Sequence, residues 1–281
     1  MKYRKQHYLP YVYLKEFSEN PTAARRRSYI WRLGEPSNTR TKTERQCVES
    51  HFYSKLHAKH AEDLFHHYEE IYAHIKGLLR DQVAPKTLGE YFGLMFSIIS
   101  LHLRNPSYQN RTHAETIEAY LNLEPQFLHR LLRFEEGATM THDSMVEKLK
   151  ERWRVSVVRT ESDVTLVTSD NPAHVYVLRR NEPPVMMTLP ITPTTCAVAF
   201  DEKSLHVRHI ISASDAGYLN ASQAFYCQKA VYSHEETQGD IRAFLVKYMS
   251  KRQQASGFIA RNGWAPNTLK LGTQFEFVRL R

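Results

Sequence analysis

Cysteine is scarce in this chain. Its three cysteines, Cys47, Cys196 and Cys227, are odd in number and widely spaced over 281 residues, which excludes a disulfide framework and points to a reducing compartment. Long hydrophobic runs are also absent. No stretch reaches the roughly 18 apolar residues of a membrane span. The opening residues Met1 to His7 lack the apolar segment of a signal peptide. A cytoplasmic protein with no membrane partner is expected. Several catalytic signatures are missing too: no P-loop, no G-x-G-x-x-G, no H-E-x-x-H, no paired C-x-x-C and no G-x-S-x-G. Walker-type ATP hydrolysis, Rossmann redox chemistry and the common zinc-protease and serine-hydrolase templates are therefore disfavoured.

What is present is positive charge. The formal net charge is +8 with 15 histidines and an isoelectric point near 9.3. A basic balance attracts polyanions, nucleic acid first, although the same charge also fits an ordinary solvated surface. A hydrophobic content of 42% is enough for a sizeable core.

The pattern along the chain predicts an α+β fold. A short β-hairpin comes first, with Ser28 to Leu33 as one strand, turn residues Gly34 to Asn38, and a return strand over Thr41 to Val48. The 3.6-residue period then predicts helices over His57 to Arg80, Thr87 to Leu103, Thr112 to Phe134 and from the caps Thr141 to Asp143 as far as Arg152. The second of these is apolar nearly all round and is expected at the centre. From Trp153 the period changes to two, predicting strands over Trp153–Arg159, Asp163–Thr168, Val175–Leu178, Val185–Leu189 and Thr195–Phe200. Late helices follow over Ser214 to Tyr232 and Gly239 to Ser250, and the tail from Phe258 alternates weakly enough for a last strand. No repeat or linker divides the chain, so one domain over 1–281 is expected, helical over about 55–152 and sheet-rich over about 153–281. Cys47 and Cys196 fall on predicted strands and Cys227 on a helix, all as core residues.

Four groups of polar residues stand out. Gln6 and His7 precede the run Tyr8 to Phe17, in which Tyr13, Leu14 and Phe17 are spaced to bury on one helical turn and Pro10 suits its start. Packing of that kind either pins an N-terminus or fixes a polar pair for proton transfer, to which imidazole is suited near neutral pH. Thr168-Ser169-Asp170-Asn171-Pro172 ends a predicted strand. Its Asp and Asn suit a tight turn, or Asp170 presented into a cleft serves as a base or metal ligand. Arg104 ends the central helix, where its guanidinium either grips phosphate or pairs with Glu62 or Glu69 on the neighbouring helix. Asp63, His67, Glu70 and His74 share one helical face at metal-ligating spacing, with a solvated polar face as the default reading.

These motifs resemble a widespread, mostly bacterial family designated domain of unknown function 4238. Its members open with Q-H-Y-x-P-x-x-Y-L-x-x-F, matched here from Gln6 to Phe17. Further matches follow in order: Glu49, Phe52 and Tyr53; Glu62 and Glu69; Arg104 and Pro106; Thr168 to Pro172; Leu189 to Pro193; and Asn220 on a late helix. The resemblance spans roughly residues 5 to 232. One departure is Leu101, which stands where a glutamine is expected, so this chain lacks whatever that glutamine does.

The leading expectation is an enzyme acting on a phosphate-containing substrate, a nuclease in a bacterial defence or toxin setting above all. His7 is assigned acid–base work, Arg104 charge stabilisation, Asp170 the role of base or Mg²⁺ ligand, and Glu69 the orientation of Arg104. Gln6, Ser169, Asn171 and Asn220 would hold substrate or shape the turn. Mg²⁺ is the cofactor such a site can take. The alternative is a nucleic-acid or nucleotide-binding module without turnover, and a third reading is a protein-interaction subunit. Whether the N-terminal motif and the S-D-N-P turn meet in space decides between scaffold and site.

Overall fold

A computed structural model describes residues 5–34, 37–50, 58–80, 87–104, 125–135, 137–161, 163–179, 182–236, 268–271 and 275–281. Within them the α+β reading holds. Strand Lys5–His7 (β1) leads into a helical turn, Tyr11–Leu14 (α1), which tightens to a 3₁₀ turn over Lys15–Phe17. A second 3₁₀ turn, Arg25–Arg27, precedes the hairpin of Tyr29–Leu33 (β2) and Thr39–Lys42 (β3). The return strand is shorter than the alternation suggests. Thr43–Arg45 forms a third 3₁₀ turn, Cys47 adopts a left-handed φ of 53°, and Val48–Ser50 (β4) pairs instead with β1. A β-strand cannot run through a left-handed residue, so Cys47 lies in a turn, not on a strand.

Two long helices follow, Ala58–Arg80 (α2) and Leu88–Leu103 (α3). Thr87 caps α3 in a reciprocal capping box with Glu90, which satisfies two otherwise orphaned amide donors. As expected, α3 is the buried one. Of the predicted third helix, residues 125–131 (α4) are helical and most of the remainder lies outside the described residues. His142–Arg152 (α5) begins at the predicted cap Thr141, boxed with Ser144.

The sheet-rich part contains Trp153–Thr160 (β5), Thr168–Ser169 (β6), His174–Val177 (β7), Met186–Thr192 (β8), Thr195–Asp201 (β9), Leu205–Val207 (β10) and Ile210–Ile211 (β11). Then come the helix Ala213–Tyr226 (α6) and strands Val231–Ser233 (β12), Thr268–Lys270 (β13) and Val278–Leu280 (β14). Six strands form one sheet in the order β11-β5-β9-β8-β7-β13, and four form a second in the order β3-β2-β12-β6. Odd-numbered side chains of β8 and β9, such as Met187, Leu189 and Ala197, pack with α1, α2 and α3 in the largest core. Even-numbered ones, such as Met186, Cys196 and Val198, pack with Leu219 of α6 and with Phe275 and Phe277 near the C-terminus. With both faces covered, every residue of β8 and β9 is buried, so these strands carry apolar residues at odd and even positions alike.

Two further expectations need correction. Of the strand predicted over Asp163–Thr168, only Thr168 is a strand residue, paired through β6 to β12. The helix predicted to Tyr232 stops at Tyr226, with Cys227 extended at φ −58° and ψ 145° just outside it. The next two amides, of Gln228 and Lys229, are captured by the Asp170 carboxylate, which diverts them from helical bonding. The predicted helix over Gly239–Ser250 lies outside the described residues.

Candidate functional site

The N-terminal segment is held on three sides. Its amide at Tyr8 donates to the Cys47 carbonyl at 3.1 Å, extending the β1–β4 pairing. Pro10 stands just before α1 at φ −57°, the pre-organised geometry for a helix start. Tyr13, Leu14 and Phe17 are wholly buried, as their spacing predicts. The Tyr13 hydroxyl donates to the Pro190 carbonyl at 2.8 Å and lies 2.7 Å from Thr168 Oγ1. A phenol has one proton, so the second bond must be donated by Thr168. One side chain thus joins the N-terminal motif, the T-S-D-N-P element and the L-P-x-T-P element. Pro190 itself sits beside a register shift in β8, where the ladder tolerates proline. The spacing of Tyr13 marks it as apolar packing, but a buried tyrosine hydroxyl also needs a partner, and that need is the signal for this junction.

Arg104 follows α3 as its C-cap. Its guanidinium lies 4.1 Å over the Phe65 ring. Nη1 and Nη2 each donate to Glu69 Oε1 at 3.2 Å, and Nη2 donates to the His7 carbonyl at 3.0 Å. The side chain is only 2% exposed, and pairing with Glu69 is what makes burial of that charge tolerable. The Glu–Arg pairing between helices is therefore formed through Glu69. The Glu62 side chain lies outside the described residues, as does that of Gln6, whose backbone pairs with Glu49. Arg104 fixes the backbone at His7 directly. The His7 ring is half-buried. Burial, then the charges of Arg25 and Arg104, push its pKa down to about 4, against a backbone hydrogen bond to Gln46 and the charge of Glu44. At neutral pH the imidazole is uncharged and competent to accept a proton.

The S-D-N-P element is bonded throughout. Asp170 Oδ1 and Oδ2 accept from the Gln228 and Lys229 amides, each at 2.8 Å, and the Asp170 amide donates to the Ala230 carbonyl at 3.1 Å. Ser169 Oγ donates to Gln223 Oε1 and accepts from the Asn171 amide, while Asn171 Nδ2 donates to the Tyr226 carbonyl. Asn220 accepts from the Val167 amide and donates to the Thr165 carbonyl. Gln223, which the sequence did not single out, also donates to the Pro172 carbonyl. Ser169, Asp170, Asn171 and Asn220 therefore clamp β6 and its turn onto α6 and the segment after it, the work of a turn element.

The two motifs do meet. Besides the Tyr13–Thr168 bond, the Asp170 charge contributes to raising the hydroxyl pKa of Tyr8 and the thiol pKa of Cys47, although burial is the larger cause for both. Lys229 Nζ pairs with Glu49 and stands 5.4 Å from the Tyr8 ring centroid. Tyr8 thus faces the Asp170–Lys229 side, and His7 faces Arg104 and Arg25. Asp63, His67, Glu70 and His74 are exposed along α2, with His66 Nε2 3.2 Å from Glu70. Among the described residues no group of three or more His, Cys, Asp or Glu is placed to hold a metal ion. No helix among them is long and apolar enough to cross a membrane.

Comparison with curated proteins and with solved structures finds no match for the chain. A family model described as "Protein of unknown function (DUF4238)" matches residues 5–237. That match covers most of the 281 residues and contains every motif described above, and the chain belongs to this family.

Proposed function

We propose that the chain is an enzyme acting on a phosphate-containing substrate, a nuclease above all, with His7 as its proton-transfer group. The observation that supports this is the setting of His7. Its imidazole is half-buried and neutral, beside the charges of Arg25 and Arg104, and backed by the buried Tyr13–Phe17 turn. A neutral imidazole removes a proton from an attacking hydroxyl or water, and fixed positive charge stabilises the charge that develops on phosphate. Glu69 and the His7 carbonyl engage the Arg104 guanidinium, so Arg104 contributes charge and position rather than a direct grip. In this reading Asp170 shapes the scaffold. The test is incubation of purified protein with RNA and with DNA, in Mg²⁺, in Mn²⁺ and in chelator. His7→Ala is expected to lower cleavage by roughly 10²-fold or more. The wild-type rate should fall as pH drops through about 4, where His7 becomes protonated and loses its basic lone pair. Intact nucleic acid under all three conditions, or full activity in His7→Ala, overturns the proposal.

One observation favours a second reading, a binding module without turnover. Both carboxylate oxygens of Asp170 accept backbone amides, which occupies the group first expected to act as base or Mg²⁺ ligand. That reading predicts salt-dependent binding of nucleic acid with no product.

A further inference from the structure

The net charge is concentrated in one short segment. Residues 21–46 carry Arg25, Arg26, Arg27, Arg32, Arg40, Lys42 and Arg45 against Glu35 and Glu44, a net of +5 out of the chain's +8. The fold brings the two arginine-bearing turns together, whereas Arg32 alternates to the other face of β2 and donates to the Lys229 carbonyl. The turn Arg25–Arg27 packs beside the turn Thr43–Arg45 through the Thr43 amide, which donates to the Ser28 carbonyl at 3.1 Å, and through the Ser28 hydroxyl, 2.9 Å from Thr43 Oγ1. Arg26, Arg27 and Arg45 are exposed. Among the described residues Arg26, Arg27, Lys42 and Arg45 make no ion pair, whereas Arg40 is held by Glu19 and Arg25 lies near Glu44.

The neighbouring strand continues the surface. β3 lies at the edge of its sheet, and its register sets Arg40 opposite Trp31 and Lys42 opposite Tyr29. Directly opposed residues share a face, so two cations alternate there with two aromatics that are half-buried. Arg40 lies 4.0 Å from the Tyr29 ring centroid. Cations interleaved with aromatic rings suit a nucleic-acid strand, whose phosphates take the charge and whose bases have flat faces for stacking. The surface also reaches the candidate site. Arg25 stacks over Tyr11 at 4.7 Å, and its charge is felt by the His7 imidazole.

We infer that the β2–β3 hairpin and the two arginine-bearing 3₁₀ turns dock the phosphate backbone of a nucleic acid and lead it past Arg25 to His7. The inference rests on the phosphate-substrate reading for its direction toward His7, but docking can be measured apart from cleavage. The experiment is fluorescence anisotropy with a labelled single-stranded RNA and a labelled duplex DNA in chelator over a NaCl series. Wild type, His7→Ala and the triple variant Arg26→Ala/Arg27→Ala/Arg45→Ala are compared. All three replaced arginines are exposed and form no ion pair among the described residues, so the triple variant should melt with wild type. Its affinity should drop tenfold or more, and its slope of log affinity against log salt should be shallower by about two, since each lost phosphate contact removes about 0.7–0.9. His7→Ala should bind like wild type. The RNA and DNA arms identify which form is held. An unchanged triple variant, no wild-type binding to either probe, or equal competition by polyglutamate overturns the docking surface. Hairpin-dependent binding without any cleavage leaves it standing and removes only the catalytic reading.

Discussion

At the scale of single residues, two histidines are buried without charge. His102 Nδ1 lies 3.1 Å from the Ala173 carbonyl, and burial pushes its pKa down to about 4. His174 lies against the Tyr226 ring at 5.5 Å; burial, then the proximity of His102, push it down to about 3. In the unfolded chain both titrate near 6.5. Below that pH the unfolded state binds protons that the folded state refuses, so stability is full above about 6.5 and is lost as pH falls toward 4. The melting temperature should decline over that window, and His174→Gln should flatten the decline. A melting temperature that stays level down to pH 4.5 contradicts the assignment. Neither histidine was singled out in the sequence, because nothing local marks a histidine as buried. The Arg104–Glu69 pairing was legible, since a buried guanidinium beside glutamates needs a counter-charge. The partners of Asp170 were not, because they are backbone amides 58 and 59 positions away.

At the scale of elements, the starts of helices were legible and several ends were not. Thr87 and Thr141 announce α3 and α5 because their hydroxyls accept the orphan amides of the first turn. The end of α6 is set by Asp170 from a distant strand and carries no local stop signal. Strands of two or three residues such as β6, β11 and β12 are fixed by their neighbours rather than by a period of their own. The crossing of α2 and α3 depends on Gly93. A Cβ built there would stand 2.5 Å from both Ile71 Cγ2 and Ile75 Cδ1, and Ile75 is buried. Gly93→Ala therefore overfills this contact, and the variant should lose about 1–3 kcal/mol, read as a lower midpoint in urea. A midpoint equal to or above wild type would show that the helix propensity of alanine outweighs the clash.

At the scale of the whole molecule, the motifs converge on one seam. Tyr13 joins Thr168 and Pro190, Arg104 joins Glu69 and the His7 carbonyl, and Asp170 closes the turn after α6. The α+β class was legible from the change of period at Trp153. The strand order was not, since β13, remote in sequence, pairs parallel with β7, and β12 inserts between β2 and β6. The seam divides between residues that hold it, with Asp170 foremost, and His7, which is held. A single comparison of thermal melts at pH 7.5 tests that division most directly. Asp170→Asn places an amide N–H₂ against backbone donors, at a cost of about 1–3 kcal/mol, and should melt several degrees below wild type, at roughly 2–4 °C per kcal/mol for a chain of this size. His7→Asn, at a half-buried position fixed through its backbone, should melt close to wild type. If His7→Asn falls as far as Asp170→Asn, or Asp170→Asn does not fall at all, the division between scaffold and site is wrong.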